Sequence, residues 1–308
     1  MLNILFITLP VFGVIAIGYA ATRFKVMSPA DIRTLGLFVL KFALPALVFT
    51  LLSQRHFAEI WNPAYLAVYG AASLSVFTLM LLTATLLQGR TLTQGAIQAM
   101  GSSVSNSGYV GYPIAVMVAG PAASVALALC MIIENALMIP LALTLAESGN
   151  NGGEPRPRLF FYLIARLAKN PLILAIVAGA AVSFLGIKLP VPVVKPLQML
   201  AMASSATALF AVGGTLAGLQ IKGTLGDIAR IVTGKLTLHP LAVFLLLLLV
   251  PTLDPAMKKA MLIYASAPML SVLALLGQPY GQEQTGAAAL MVATLLSFLT
   301  ISGLLLLI

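Results

Sequence analysis

Gly101-Ser-Ser-Val-Ser-Asn-Ser-Gly-Tyr-Val-Gly-Tyr-Pro113 is a small, polar, Gly- and Pro-containing tract set in apolar sequence, with Ala96 to Met100 before it and Ile114 to Ala119 after it. A lipid-facing helix does not tolerate such a run, because each unpaired backbone group in hydrocarbon costs several kcal/mol. Broken backbone at membrane depth survives where protein buries it or where it lines a wet cavity. The tract therefore points to a transport site inside a membrane protein.

The rest of the chain agrees. Its 308 residues are 60% hydrophobic and 8% charged, with a mean hydropathy of +1.06. A soluble domain carries about 25% charged residues, so this is a polytopic membrane protein. The net charge of +9 could suggest nucleic acid, but the basic residues sit in short connections between apolar spans. Membrane topology predicts that placement, and no nucleic-acid partner is expected. The single cysteine, Cys130, lies within an apolar span and excludes an intrachain disulfide. Near the N-terminus, Tyr19-Ala20-Ala21 resembles a cleavage site, yet Arg23 and Lys25 follow the apolar run instead of preceding it. That order describes a retained first helix.

At about 20 apolar residues per crossing, the sequence divides into ten spans: 2–22, 35–54, 63–88, 93–119, 121–146, 170–187, 193–219, 228–250, 256–277 and 284–307. With the N-terminus outside, the cytoplasmic connections hold Arg23, Lys25, Arg33, Arg90, Arg156, Arg158, Arg166, Lys169, Lys222 and Arg230. The outer connections hold Arg55, Lys188, Lys195, Lys258 and Lys259. The excess inside places both termini on the outer side of the membrane. The polar segment 147–169 reads as a cytoplasmic linker between two halves, 1–146 and 170–308.

The halves look related. A displacement of 161 residues places Pro10 on Pro171, Gly18 on Gly179, Ala20 on Ala181, Pro29 on Pro190, Phe49 on Phe210, Ala99-Met100 on Ala260-Met261 and Ser105 on Ser266. Five spans per half is an odd number, so the second half would enter the membrane from the opposite side. The expected fold is all-α, with ten transmembrane helices as two inverted five-helix repeats and interruptions in helices 4 and 9. Many secondary transporters are built this way.

In the fourth span, Ser105, Asn106, Ser107, Gly108, Gly111 and Pro113 form the break. Glycine permits unusual backbone, and proline leaves a carbonyl one turn earlier without its donor. Freed carbonyls and the Asn side chain can hold a cation or a polar substrate, and the following half-helix can hold an anion. Close helix packing through small residues is the alternative. The ninth span offers Ser266 and Pro268 in register with the first break, where a simple proline kink is the alternative.

Glu134 with Asn135 lies near the centre of the fifth span, where a carboxylate costs roughly 3 kcal/mol. It is a candidate for proton or cation coupling, or else a neutral structural group. Lys41 before Pro45, and Lys235 with His239-Pro240, could attract an anion. Snorkelling of each lysine to the headgroups is the preferred reading, and His239 reads as structural ahead of proton relay. No HExxH, Walker-type GxxxxGK[ST] or TVGYG tract is present, and Asp31, Asp227 and Asp254 lie in or beside connections. Zinc-protease, ATP-driven, potassium-filter and aspartyl-protease chemistry have no motif here. No enzyme activity, cofactor or metal site is expected.

Asn106-Ser-Gly-Tyr-Val-Gly-Tyr-Pro-Ile114 resembles the Asn-x-Gly-φ-φ-Gly-φ-Pro motif (φ apolar or aromatic) of the auxin efflux carrier family. Phe42-Ala-Leu-Pro-Ala-Leu-Val48, Glu134-Asn-Ala-Leu-Met-Ile-Pro140, Lys169-Asn-Pro-Leu172, Lys235-Leu-Thr-Leu-His-Pro240 and Ala265-Ser-Ala-Pro268 are similar to other family segments, in the same order. The resemblance covers essentially the whole chain, and the short linker is similar to that of bacterial members. It implies a ten-helix carrier of organic anions, such as auxin, malonate or other small carboxylates, with helices 4 and 9 crossing at the midplane. Coupling to H⁺ or Na⁺ and a homo-oligomer are left open. A ligand-binding membrane sensor without flux, and a channel, are the rival readings.

Overall fold

Polar residues followed by proline set where several helices begin. The computed structural model describes residues 2–150, 168–219 and 225–308. Within them Ser28, Asn62, Asn170 and Asp254 each accept a backbone N–H of the first turn, and each is followed by Pro at the first helical position. The side chain supplies one missing acceptor, and proline occupies a site whose N–H has no intrahelical partner. Thr91 caps its helix with a reciprocal bond from Gln94.

The resulting helices are α1 (Leu2–Arg23), α2 (Pro29–Ser53), α3 (Pro63–Leu87, preceded by the single turn Phe57–Ile60), α4 (Leu92–Ser103), α5 (Ser107–Ala119), α6 (Ala122–Gly149), α7 (Pro171–Phe184), α8 (Val191–Ala217), α9 (Leu225–Leu247), α10 (Pro255–Ser266), α11 (Leu273–Gly277) and α12 (Glu283–Leu305). The fold is all-α among the described residues. Seven of the helices (α1, α2, α3, α6, α8, α9 and α12) are long and apolar enough to cross a membrane. α5 and α7 are shorter apolar helices. The helices fall on the ten apolar stretches of the sequence, the fourth being divided into α4 and α5 and the ninth into α10 and α11. Most of the linker expected over 147–169 lies outside the described residues.

Proline also shapes the interiors of these helices. Val39–Ala43, Ser107–Gly111, Ile133–Met138 and Gly234–Leu238 are widened π-type turns, each directly before a helical segment with Pro at its second position. In each, the residue preceding the proline donates to the carbonyl five residues back: Leu44 to Val39, Tyr112 to Ser107, Ile139 to Glu134 and His239 to Gly234. Widening keeps that donor paired and gives the pyrrolidine ring room it lacks in a regular turn.

Two packing groups result. α1, α2, α7 and α8 lie against one another, while α3, α4, α6, α9, α10 and α12 form the other group around α5 and α11. The α1–α8 contact is backbone to backbone: a Cβ built on Gly18 would run into the Phe210 carbonyl, and one on Gly213 into the Ile15 carbonyl. Only glycine admits such an approach.

Candidate functional site

α4 ends where Val104 donates to the Met100 carbonyl, and α10 ends where Ala267 donates to those of Ile263 and Tyr264. The two loose ends then pair with each other. Asn106 N–H donates to the Pro268 carbonyl (2.7 Å), Leu270 N–H donates to that of Val104 (3.2 Å), and Ser105 faces Met269 in an antiparallel bridge. Each interruption thus supplies hydrogen-bond partners that the other lost, which is how irregular backbone can persist in an apolar interior. The Asn106 carbonyl in turn accepts from Val110 and Gly111 (3.1 Å each) and opens α5.

The side chains here are buried. Ser105, Asn106 and Ser107 are 1%, 4% and 1% exposed. Ser107 Oγ and Tyr69 OH both donate to Oε1 of Glu134, at 2.6 and 2.8 Å, and Tyr69 also reaches Ser105 Oγ at 3.3 Å. The Tyr69 ring lies 5.6 Å from the His239 ring, centroid to centroid. Lys235 Nζ donates to the Ala265 carbonyl at 2.6 Å and meets His239 Nδ1 at 2.8 Å. With the ammonium donating, Nδ1 accepts, so Nε2–H donates to Ser73 Oγ at 3.0 Å. One polar cluster therefore runs from the first break through α6, α3 and α9 to the end of α10.

Asn106 is the exception to this pairing. Its side-chain Nδ2 is buried and donates to no protein atom. An unused buried amide donor costs about 1–3 kcal/mol, and it stands where the two interruptions meet.

The structure gathers Ser105, Asn106, Ser107, Glu134, Lys235, His239 and the Pro268 carbonyl, but not every residue that the sequence nominated. The Ser266 hydroxyl turns back onto the Leu262 carbonyl of its own helix, and Asn135 onto the Met131 carbonyl. Gly108 and Gly111 are closed in by protein, with Met131 and Leu44 against the first and Tyr264 against the second. Pro113 is buried at the start of the straight part of α5. Lys41 is exposed on α2, as snorkelling expects.

Lys235 overturns that same expectation. It is fully buried, because the Ala265 carbonyl and His239 hold its ammonium inside. Arg230 departs from its reading as a connection residue. It lies on α9, where it bonds to Gln98 and to Asp227, which also pairs with Arg90 at 2.9 Å. Tyr69 and Ser73 were not nominated, since single polar atoms in an apolar span do not advertise their direction.

A cavity of about 440 Å³ opens between α2, α8 and α11, and none of the polar cluster's residues lines it. Tyr109 of the first break and Ser271 and Val272 of the second line it, with Arg33 and Glu283 also on its wall. It has the size and mixed lining of a small-molecule site.

The family model described as membrane transport protein matches residues 4–305. The chain is 33% identical to a protein of Rhizobium meliloti (strain 1021) named "Putative malonate transporter", over all of this chain and 97% of that one. It is 25% identical to "Uncharacterized transporter YfdV" of Escherichia coli (strain K12), over 93% and 92% of the two chains. It is 26% identical to the "Lysosomal cholesterol signaling protein" of Mus musculus, over 75% of this chain and 28% of that longer one. With its apolar helices, paired interruptions and a full-length match, the chain belongs to the membrane transport proteins of the auxin efflux carrier family.

Proposed function

We propose that this protein is a secondary active carrier of small organic anions, malonate or another small carboxylate, across the bacterial inner membrane by alternating access. The observation that carries the reading is the unpaired, buried Nδ2 of Asn106 at the junction of two interrupted helices. A carboxylate oxygen is the partner this donor lacks, and Ser105 and Ser107 flank it. Malonate is favoured by the name of the Rhizobium relative.

The membrane layout we propose is ten crossings as two inverted five-helix repeats, with both termini periplasmic. α4–α5 and α10–α11 are the fourth and ninth crossings. Packing supports the repeat: Gly18 lies against Phe210, and their images under the 161-residue displacement, Gly179 and Phe49, are also in contact. The group α1, α2, α7 and α8 would rock against the other group, with the 440 Å³ cavity between α2, α8 and α11 as the route on one side. Glu134, held by Ser107 and Tyr69, is the group we assign to H⁺ or Na⁺ coupling.

Protein reconstituted in liposomes is expected to take up labelled malonate saturably and to show counterflow, and Asn106→Ala is expected to abolish both. Unchanged transport in that variant would remove Asn106 from the site. Flux that never saturates would make the protein a channel. The mouse relative's name favours a second reading, a sensor that binds a ligand without moving it. Binding with no flux under any gradient would establish that one instead.

A further inference from the structure

We infer that a second cavity, of about 600 Å³, binds the phosphate headgroup of an anionic phospholipid. It forms where the end of α2, the end of α7 and the start of α8 converge. None of its lining comes from α4, α5, α10 or α11, so it is separate from the junction of the two breaks. The assignment does not depend on what the protein carries.

Its lining includes Arg55, His56, Lys188 and Lys195 and no acidic residue. Arg55 pairs with Glu59 at 3.3 Å, outside the lining. Neither Lys188 nor Lys195 has an ion pair among the described residues, so two cations face the cavity uncompensated. Arg55, Lys188 and Lys195 are also three of the five basic residues that the charge count leaves on the outer side. Outer connections of a bacterial membrane protein carry few Lys and Arg, yet here they gather at one place. Phosphate is the anion that a membrane supplies at that level, and it is present in both leaflets, so the assignment holds for either orientation.

The surroundings favour a lipid over a free anion. Phe184, Leu185 and Val191 stand beside the cationic wall and are 69%, 65% and 74% exposed. A ligand with a charged head and acyl chains satisfies both surfaces together. The site is also held in shape, since Ser183 of α7 donates to the Arg55 carbonyl beyond the end of α2.

The full-length protein in detergent, supplied with phosphatidylglycerol, phosphatidylcholine or inorganic phosphate, tests this by native mass spectrometry and thermal unfolding. Phosphatidylglycerol should be retained and raise the melting temperature above that with phosphatidylcholine, while inorganic phosphate should not shift it. At about fivefold per lysine near a charged headgroup, Lys188→Gln with Lys195→Gln should weaken phosphatidylglycerol binding about thirtyfold. Lys188→Arg with Lys195→Arg should preserve it. Equal retention of the two lipids overturns the proposal, and equal protection by inorganic phosphate makes this a soluble-anion site. A dimer that persists without lipid and is lost in the Gln variant makes it an interface between copies, which also overturns the proposal. Should the Gln variant fail to fold, the comparison of the three ligands on the unaltered protein decides.

Discussion

Gly18 of α1 packs directly on the backbone carbonyl of Phe210 in α8, and no side chain could be inserted between them. Gly179 of α7 also lies close to α2, less tightly, with a Cβ there 3.0 Å from the Leu52 Cβ and 3.2 Å from the Phe49 carbonyl oxygen. Gly179 is Gly18 displaced forward by 161 residues and Phe49 is Phe210 displaced back by the same number, so one interhelical contact occurs twice with its partners drawn from opposite halves. Gly18→Ala should therefore destabilise the protein by about 1–3 kcal/mol, as overpacking does. Gly13→Ala, on the same helix with open space beside it, should be neutral or stabilising by up to about 1 kcal/mol. Thermal unfolding in detergent distinguishes them, and equal melting temperatures would contradict the close approach.

Tyr69 and Ser107 donate to the same oxygen of Glu134 from different helices. Removing either donor, by Tyr69→Phe or Ser107→Ala, should cost about 1–3 kcal/mol, since the buried carboxyl loses a hydrogen bond. Because the remaining donor can shorten and realign, the two changes should not add. A double-mutant cycle is expected to show coupling of about 0.5–3 kcal/mol. Additive effects would mean that the two hydroxyls act on Glu134 independently.

The sequence disclosed the interruptions because their chemistry is local: Gly, Ser, Asn and Pro together cannot continue a lipid-facing helix. It disclosed Glu134 and Lys235 by their charge. It could not disclose that Lys235 turns inward while Lys41 remains exposed. In a membrane helix the lipid-facing and protein-facing sides are equally apolar, so periodicity does not separate them. Tyr69 and Ser73 on α3 were hidden for that reason. One usable signal was present: Lys41, Ser107, Glu134 and Lys235 each lie four to six residues before a proline, in the widened turns that the prolines impose. Such turns recur at functional sites.

Asp227 is a single buried carboxylate between two guanidinium groups, those of Arg90 and Arg230. Arg230 also reaches Gln98 of α4, so this cluster ties α4 to α9. Asp227→Asn keeps the shape and removes the counter-charge, leaving two cations that repel. The expected loss is about 3–5 kcal/mol, the magnitude for an uncompensated buried charge. Arg90→Gln in the same chain should recover part of it. Absence of recovery in chemical unfolding would show that Arg90, about a third exposed, is already solvated well enough not to matter.

Lys235 pairs one of the carbonyls released at the second break. Pro268 has no N–H for Tyr264, and Ala267 covers that carbonyl with a bond shared with Ile263. The next carbonyl, that of Ala265, is taken by the Lys235 ammonium at 2.6 Å. Lys235→Met has similar length and hydrophobic bulk but leaves Ala265 without its donor and His239 without its neighbour. It should destabilise the protein by about 2–3 kcal/mol, as expected for loss of a charged donor to a buried acceptor. Because the lost bond fixes the end of α10, hydrogen exchange should quicken at Ala267 and Leu270, whose amides hold the junction, before it changes in α12. Uniform acceleration across all helices would indicate a general loss of stability and would separate Lys235 from the break.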